Sequence, residues 1–284
     1  MYAQRGQCAC REGDSLMKGI FPEISSIENP ESHAGKDTDG KDTEESKTGT
    51  AERGIDFSSG FYIIPSISIQ DGYVCFCEDG RYVYPRDKKG RHLDPLTFIE
   101  KFETYPAVCL IDINGISSNS QQLGLIEQIR SEADNEIWVD GGIRRADDLF
   151  ELGVKGADRI LLGTKTIERL EEYQKALDIF ENIIPSIDIY MGKVSSISEE
   201  IASLSIGQVI NMLLQMGYRI FCISDLGRDK SVFLENREIT EAVKRGMPFF
   251  LNSEFEPEDG PNIKAMGFRG MMIKTRGFWK GVVR

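Results

Sequence analysis

From Phe61 onward, short apolar runs alternate with stretches whose apolar residues recur every three to four positions. The runs predict strands over Tyr62–Ser68, Val108–Asp112, Ile137–Asp140, Arg159–Leu162, Ile183–Asp188, Arg219–Ser224, Pro248–Asn252 and Gly270–Ile273. The stretches between them carry helix signals. Asp94-Pro95 opens one as an N-cap acid followed by proline, and Leu123–Ile129 keeps a helical period. Ala146–Leu152, Ile206–Met216 and Glu235–Arg245 stop at Gly153, Gly217 and Gly246. Eight strands alternating with helices predict a closed (β/α)8 TIM barrel, with a doubly wound open sheet as the alternative. Residues 1–58 lack this pattern. Glu28–Arg53 is polar and charged, so 1–58 reads as a disordered acidic extension and 59–284 as the barrel.

One phrase occurs twice. Ile63-Ile64-Pro65-Ser66-Ile67-Ser68-Ile69 returns 120 residues later as Ile183-Ile184-Pro185-Ser186-Ile187-Asp188-Ile189, and each copy leads into a Gly-x-Val. That interval exceeds any short solenoid repeat and points to two fused (β/α)4 halves. It favours the barrel over the open sheet. The copies differ where Ser68 faces Asp188.

A barrel of this kind works at the C-terminal ends of its strands. The polar residues there are Ser68, Asp112, Asp140, Asp188, Asp225 and Asn252. An acid ending an Ile-rich strand lies over the pore, where desolvation raises its pKa toward that of a general acid or base. Asp188 is the first candidate, with Asp112 and Asp225 as alternatives. The bland reading of a strand-end Asp is a helix cap, and it is strongest for Asp140, which Gly141-Gly142 follows. Gly141, Gly142, Gly163 and Thr164 stand directly after the third and fourth strands. Glycines there let backbone N–H groups approach an anion, which predicts a phosphate cradle. The matching second-half positions are Asn252, Ser253, Glu254 and Lys274, so that cradle is degraded.

Composition narrows the chemistry. Two His residues in 284 leave no basis for a His triad or a multi-His metal site. The paired cysteines lack partners at metal-ligand spacing, so no metal or cofactor is expected. The six Cys read as reduced thiols of a cytoplasmic protein. A formal net charge of −12 argues against nucleic acid as partner, and no apolar run is long enough for a membrane span. A phosphorylated small molecule is the expected partner; oligomeric state is open.

These motifs resemble the histidine-biosynthesis half-barrel family (HisA/HisF): the ribotide isomerase and the cyclase subunit of imidazole glycerol phosphate synthase. The likeness runs from Tyr62 to Gly281. It rests on Asp71-Gly72-Tyr73-Val74, Leu110-Ile111-Asp112-Ile113, Asp140-Gly141-Gly142-Ile143-Arg144, Gly156-Ala157-Asp158-Arg159, Leu162-Gly163-Thr164 and Asp225-Leu226-Gly227-Arg228-Asp229. The resemblance implies a substrate with a phosphate at each end and catalysis by two Asp, ending the first and fifth strands. In the isomerase these open a ribose ring and shift a proton, an Amadori rearrangement. Asp188 matches the fifth-strand Asp. Ser68 stands in place of the first, and the second-half glycine motif is missing. Both departures argue against the standard isomerase and against the cyclase. The short crossing between the sixth strand and its helix and the compact fifth-strand loop resemble a divergent archaeal branch of the family. Two functions follow: a phosphosugar or ribotide isomerase (or related lyase), or a non-catalytic binding or interaction protein on the same barrel.

Overall fold

A computed structural model describes residues 55, 57, 59–78, 80–227 and 230–276. Eight parallel strands close on themselves: β1 Tyr62–Gln70, β2 Ala107–Asp112, β3 Glu136–Asp140, β4 Arg159–Gly163, β5 Ile183–Tyr190, β6 Phe221–Asp225, β7 Phe249–Asn252 and β8 Gly270–Lys274. Each pairs with its neighbour in sequence, and β8 returns to β1 with Tyr62 opposite Gly270. The closed (β/α)8 barrel stands as expected.

Alternation sorts every strand into two faces. One face (Ile67, Leu110, Val139, Leu162, Ile187, Ile223, Leu251, Ile273) packs outward against the helices. The other (Ile64, Cys109, Trp138, Leu161, Ile184, Cys222, Phe250, Met272) fills the barrel. The floor holds a buried ion pair, Arg159 Nε to Glu136 Oε1 at 3.1 Å, and Trp138 Nε1 donates to the other Glu136 oxygen. Phe57 closes this end. Its ring meets Tyr62, Trp138 and Phe250 edge to face, and the Arg159 guanidinium lies 4.6 Å above it. The packed unit therefore starts before residue 59; the rest of the expected disordered extension lies outside the described residues. Phe57→Ala should cost about 3 kcal/mol of stability, read by thermal unfolding. A fragment starting at residue 59 should melt lower than one starting at 55 for the same reason.

The helices follow their signals closely. Asp94 accepts from the Leu96 and Thr97 N–H groups ahead of Pro95–Ile99. Ile206–Met216 begins in a Ser205–Gln208 capping box and ends at left-handed Gly217. Two expectations change. Glu235–Arg245 is shortened at both ends, because Asn236 caps a helix that runs only over Arg237–Val243. Leu149–Val154 runs through Gly153, which is small because a Cβ there would lie 2.8 Å from the Phe180 ring.

Both halves begin alike. β1 turns back at Asp71-Gly72 into Tyr73–Val74, and β5 at Met191-Gly192 into Lys193–Val194, all four turn residues having positive φ. The Cys75 N–H donates to the Ser68 carbonyl and the Ser195 N–H to the Asp188 carbonyl. The first half then adds a hairpin that its sequence does not announce, Phe76–Glu78 with Arg81–Val83, pinned toward β8 by a 2.7 Å Arg276–Glu78 ion pair. Cys75, Cys109 and Cys222 are buried free thiols. Cys77 departs from the reduced-thiol expectation and is disulfide-bonded. Among the described residues no helix is long and apolar enough to cross a membrane.

Candidate active site

At the C-terminal mouth, inward parity selects the side chains that enter the pore. Counting in twos from Trp138 and Ile184 brings in Asp140, Ser186 and Asp188. The same count from Ile64, Cys222, Phe250 and Met272 brings in Ser66, Ser68, Ser224, Asn252 and Lys274. Asp112 and Asp225 follow outward-facing Leu110 and Ile223, so the strands aim them at the loops. Asp112 is fully buried. Its oxygens accept from Gly115 N–H at 3.1 Å, Gln122 N–H at 2.6 Å and Gln122 Nε2 at 3.0 Å. It thereby caps the helix Ile113–Ser118. Asp225 accepts from Gly227 N–H at 3.0 Å and Ser253 Oγ at 3.1 Å.

Asp188 is 4% exposed and fixed from β4. Its Oδ2 accepts from Lys165 N–H at 2.9 Å and Thr164 Oγ1 at 3.4 Å, and its own N–H donates to Thr164 Oγ1 at 2.9 Å. A Cβ on Gly163 would lie 2.9 Å from that carboxylate oxygen, so the glycine makes room for the acid. Burial pushes the Asp188 carboxyl up to about 6; the Lys165 ammonium pulls against this and Asp140 adds to it. Burial also raises Asp140, opposed by Lys165, by the Gly142 N–H and by Lys274. One ammonium, Lys165, thus acts on two acids, the buried Asp188 and the half-buried Asp140. Lys165 had no assigned role in the sequence, and Asp140 was named there as a strand-end acid with a helix-cap reading. Inward parity with Trp138 was the signal for Asp140.

The glycine turns behave differently from an empty cradle. Gly142 has φ +63, and a Cβ on it would lie 2.4 Å from Ile116 Cα. The pair Gly141-Gly142 lets this loop pack backbone to backbone on Ile113–Ser118. The Gly142 N–H is donated to Asp140 Oδ1 at 3.2 Å, the Thr164 N–H to the Ser186 carbonyl, and the Lys165 N–H to Asp188. Arg144 is tied to the Gly115, Gly142 and Ile116 carbonyls. Among the described residues, the Lys165 ammonium and the Gly141 and Ile143 N–H groups have no hydrogen-bond acceptor.

In the second half, Asn252 and Ser253 are buried and Glu254 is exposed. A polar chain lines the pore: Ser186 Oγ to Ser224 Oγ at 2.8 Å, Asn252 Nδ2 to Ser224 Oγ at 3.2 Å, and Lys274 Nζ to Asn252 Oδ1 at 3.5 Å. Ser66 Oγ, buried beside it, has no hydrogen-bond partner. The Thr275 hydroxyl donates to the Ser66 carbonyl, much as Thr164 braces β5. Glu78, at the end of the hairpin strand Phe76–Glu78, pairs with Arg276, and Asp79 lies outside the described residues.

Two matching half-barrels, each with a carboxylate over the pore, define a half-barrel-derived (β/α)8 protein. Comparison with known families agrees and goes further. The sequence profile described as histidine biosynthesis protein matches residues 62–247, and the chain belongs to that family. It is similar to 1-(5-phosphoribosyl)-5-((5-phosphoribosylamino)methylideneamino) imidazole-4-carboxamide isomerase 1 of Photorhabdus laumondii subsp. laumondii. That match is 28% identical over 197 residues, 66% of this chain and 79% of that protein. The isomerase of the same name from Methanopyrus kandleri is 29% identical over 105 residues, 37% of this chain and 42% of its own. The one from Shewanella frigidimarina is 33% identical over 106 residues, 36% of this chain and 42% of its own. The last two alignments thus span less than half of those relatives.

Proposed function

We propose that this chain is an isomerase of a phosphorylated ribotide, opening a ribose ring and moving a proton to convert an aminoaldose to an aminoketose. The observation that carries the reading is Asp188: a buried carboxyl over the pore, held by Lys165 N–H and Thr164, with its pKa raised to about 6. A group at that value is populated in both protonation states near neutral pH, which suits acid–base transfer. The relatives named as isomerases support the same chemistry.

A phosphate on the first-half side would be met by the Lys165 ammonium and by the N–H groups of Gly141 and Ile143, with Gly142, Gly163 and Thr164 shaping the loops. Asp112 and Asp225 are positioning residues in this reading, because their oxygens hold loop N–H groups and neighbouring side chains. Lys165→Ala should raise KM for the phosphorylated substrate about tenfold, since one charge-assisted phosphate contact is lost; steady-state kinetics read it. The reaction needs no cofactor in this account.

The non-catalytic reading draws on Ser68 and on the carboxylates that occupy the Gly142 and Lys165 N–H groups. Calorimetry and turnover with the ribotide separate the two: binding with conversion supports the isomerase, and binding without conversion supports the binding protein.

A further inference from the structure

The family pattern calls for two carboxylates, and Ser68 leaves one of them missing. The strand register locates a replacement. In the first half a single row runs Ser68–Ile111–Asp140 across β1, β2 and β3. In the second half the equivalent row runs Asp188–Ser224–Asn252 across β5, β6 and β7. The repeat sets Ser68 against Asp188 and Asp140 against Asn252. Each row therefore carries one carboxylate and one neutral polar group at its two ends, with the order reversed. Strands lie about 4.8 Å apart, so the first-half acid stands about 10 Å along the row from Ser68 and on the same inward face.

Asp140 and Asp188 flank β4, whose last strand residue is Gly163, and the charge of Lys165 from the following turn favours the ionised form of both. Lys274 adds a second ammonium on the Asp140 side. Below the row, Ser66 is 2% exposed and its hydroxyl is unpartnered, a donor left for a sugar oxygen or a water.

We propose that Asp140 is the second acid–base group of this site and replaces the carboxylate absent at Ser68. The assignment rests on the isomerase reading. Protonated Asp188 gives its proton to the ribose ring oxygen as the C1–O bond breaks, while the lone pair of the attached nitrogen forms C=N. Ionised Asp140 takes the C2 proton. The C2–H electrons become C=C and the C=N pair returns to nitrogen, giving an enaminol. C1 then gains a proton and the C2 hydroxyl loses one, leaving a ketone. C1 is reduced as C2 is oxidised, so no other reactant is consumed.

The test is steady-state turnover of the ribotide by the full chain and two variants. In Asp140→Asn one oxygen can still accept from the Gly142 N–H, so the loop should hold and the melting temperature should stay within a few degrees. Its kcat should fall at least about 100-fold with KM changed less than about threefold. The double variant Ser68→Asp/Asp140→Asn returns a carboxylate to the first strand and should regain at least about tenfold of that loss. Asp140→Asn retaining more than a third of wild-type kcat overturns the proposal. So does a loss confined to KM, or a loss of kcat that Ser68→Asp leaves unrepaired. Wild-type chain that fails to turn the ribotide over overturns the isomerase reading itself, and the assignment of Asp140 with it.

Discussion

Replacing Asp188 with Asn should lower kcat about 10³-fold while raising stability at neutral pH. The activity loss follows from removing a proton that the ring oxygen must receive; a positioned acid–base group contributes about 10²–10⁴-fold. The stability gain follows from linkage. Asp188 is raised in the fold from its ordinary value to about 6, because burial disfavours its charged form. Between about pH 4 and 6 the folded state binds more protons than the unfolded state. Stability attached to this group is therefore present at low pH and lost as pH rises through 6. Above that, wild type carries a buried charge that Asn does not. The gain is of order 1–3 kcal/mol, since each tenfold weakening of an acid by the fold corresponds to about 1.4 kcal/mol. Thermal melts of both forms at pH 4.5 and pH 8 read it: the variant should melt higher at pH 8, and the gap should shrink at pH 4.5. The wild-type kcat profile should also bend near pH 6, and the bend should vanish in Asp188→Asn. Equal melts at pH 8 would mean that Asp188 is not held against its own charge.

Gly142→Ala should be strongly destabilising. The residue has φ +63, which strains any side chain, and the added carbon would lie 2.4–2.6 Å from the backbone of Gly115 and Ile116. Neither neighbour is a flexible side-chain end, so the loop or the helix Ile113–Ser118 has to move. Left-handed strain and overpacking each cost about 1–3 kcal/mol. Together they should drop the melting temperature by about 10 °C in a domain of this size. Gly90→Ala is the control: it also has positive φ, +80, yet nothing lies within 4 Å of its added carbon. It should cost about 1 kcal/mol and leave turnover unchanged. Comparable melts for the two variants would refute the close backbone packing at Gly142. The displaced loop should also disturb Asp140, which holds the Gly142 N–H, so kcat should fall with stability.

The fold was legible because its signals were redundant. Apolar runs, N-cap acids, C-terminal glycines and a doubled Ile-rich phrase all pointed to the same barrel. What escaped were features whose signal is not local. Phe57 looks like one aromatic at the edge of a polar tail; only the closed floor of Tyr62, Trp138, Phe250 and Arg159 gives it a place. The Phe76–Glu78 hairpin lay between stronger signals, in a stretch with too few residues to show a period.

At the site, strand-end position gave Asp188 its place but set Asp112 and Asp225 ahead of Asp140, which read as a helix cap. Alternation separates them. Asp140 and Asp188 share the parity of residues that fill the barrel, whereas Asp112 and Asp225 share that of residues packed under helices. That distinction was present in the sequence. The hydrogen-bond partners were not: that Gly142, Thr164 and Lys165 donate their N–H groups to the chain itself depends on where β5 and the loops lie in space.

The central claim is ribotide isomerisation at the Asp188 mouth, and one measurement bears on it most directly. Full-length chain is incubated with the 5-phosphoribosylamino ribotide labelled with ¹³C at C2 of the ribose, and the carbon spectrum is followed. Growth of a ketone resonance with wild type, absent with Asp188→Asn, is the predicted result. An unchanged spectrum with wild type, or equal ketone growth with both proteins, would contradict it.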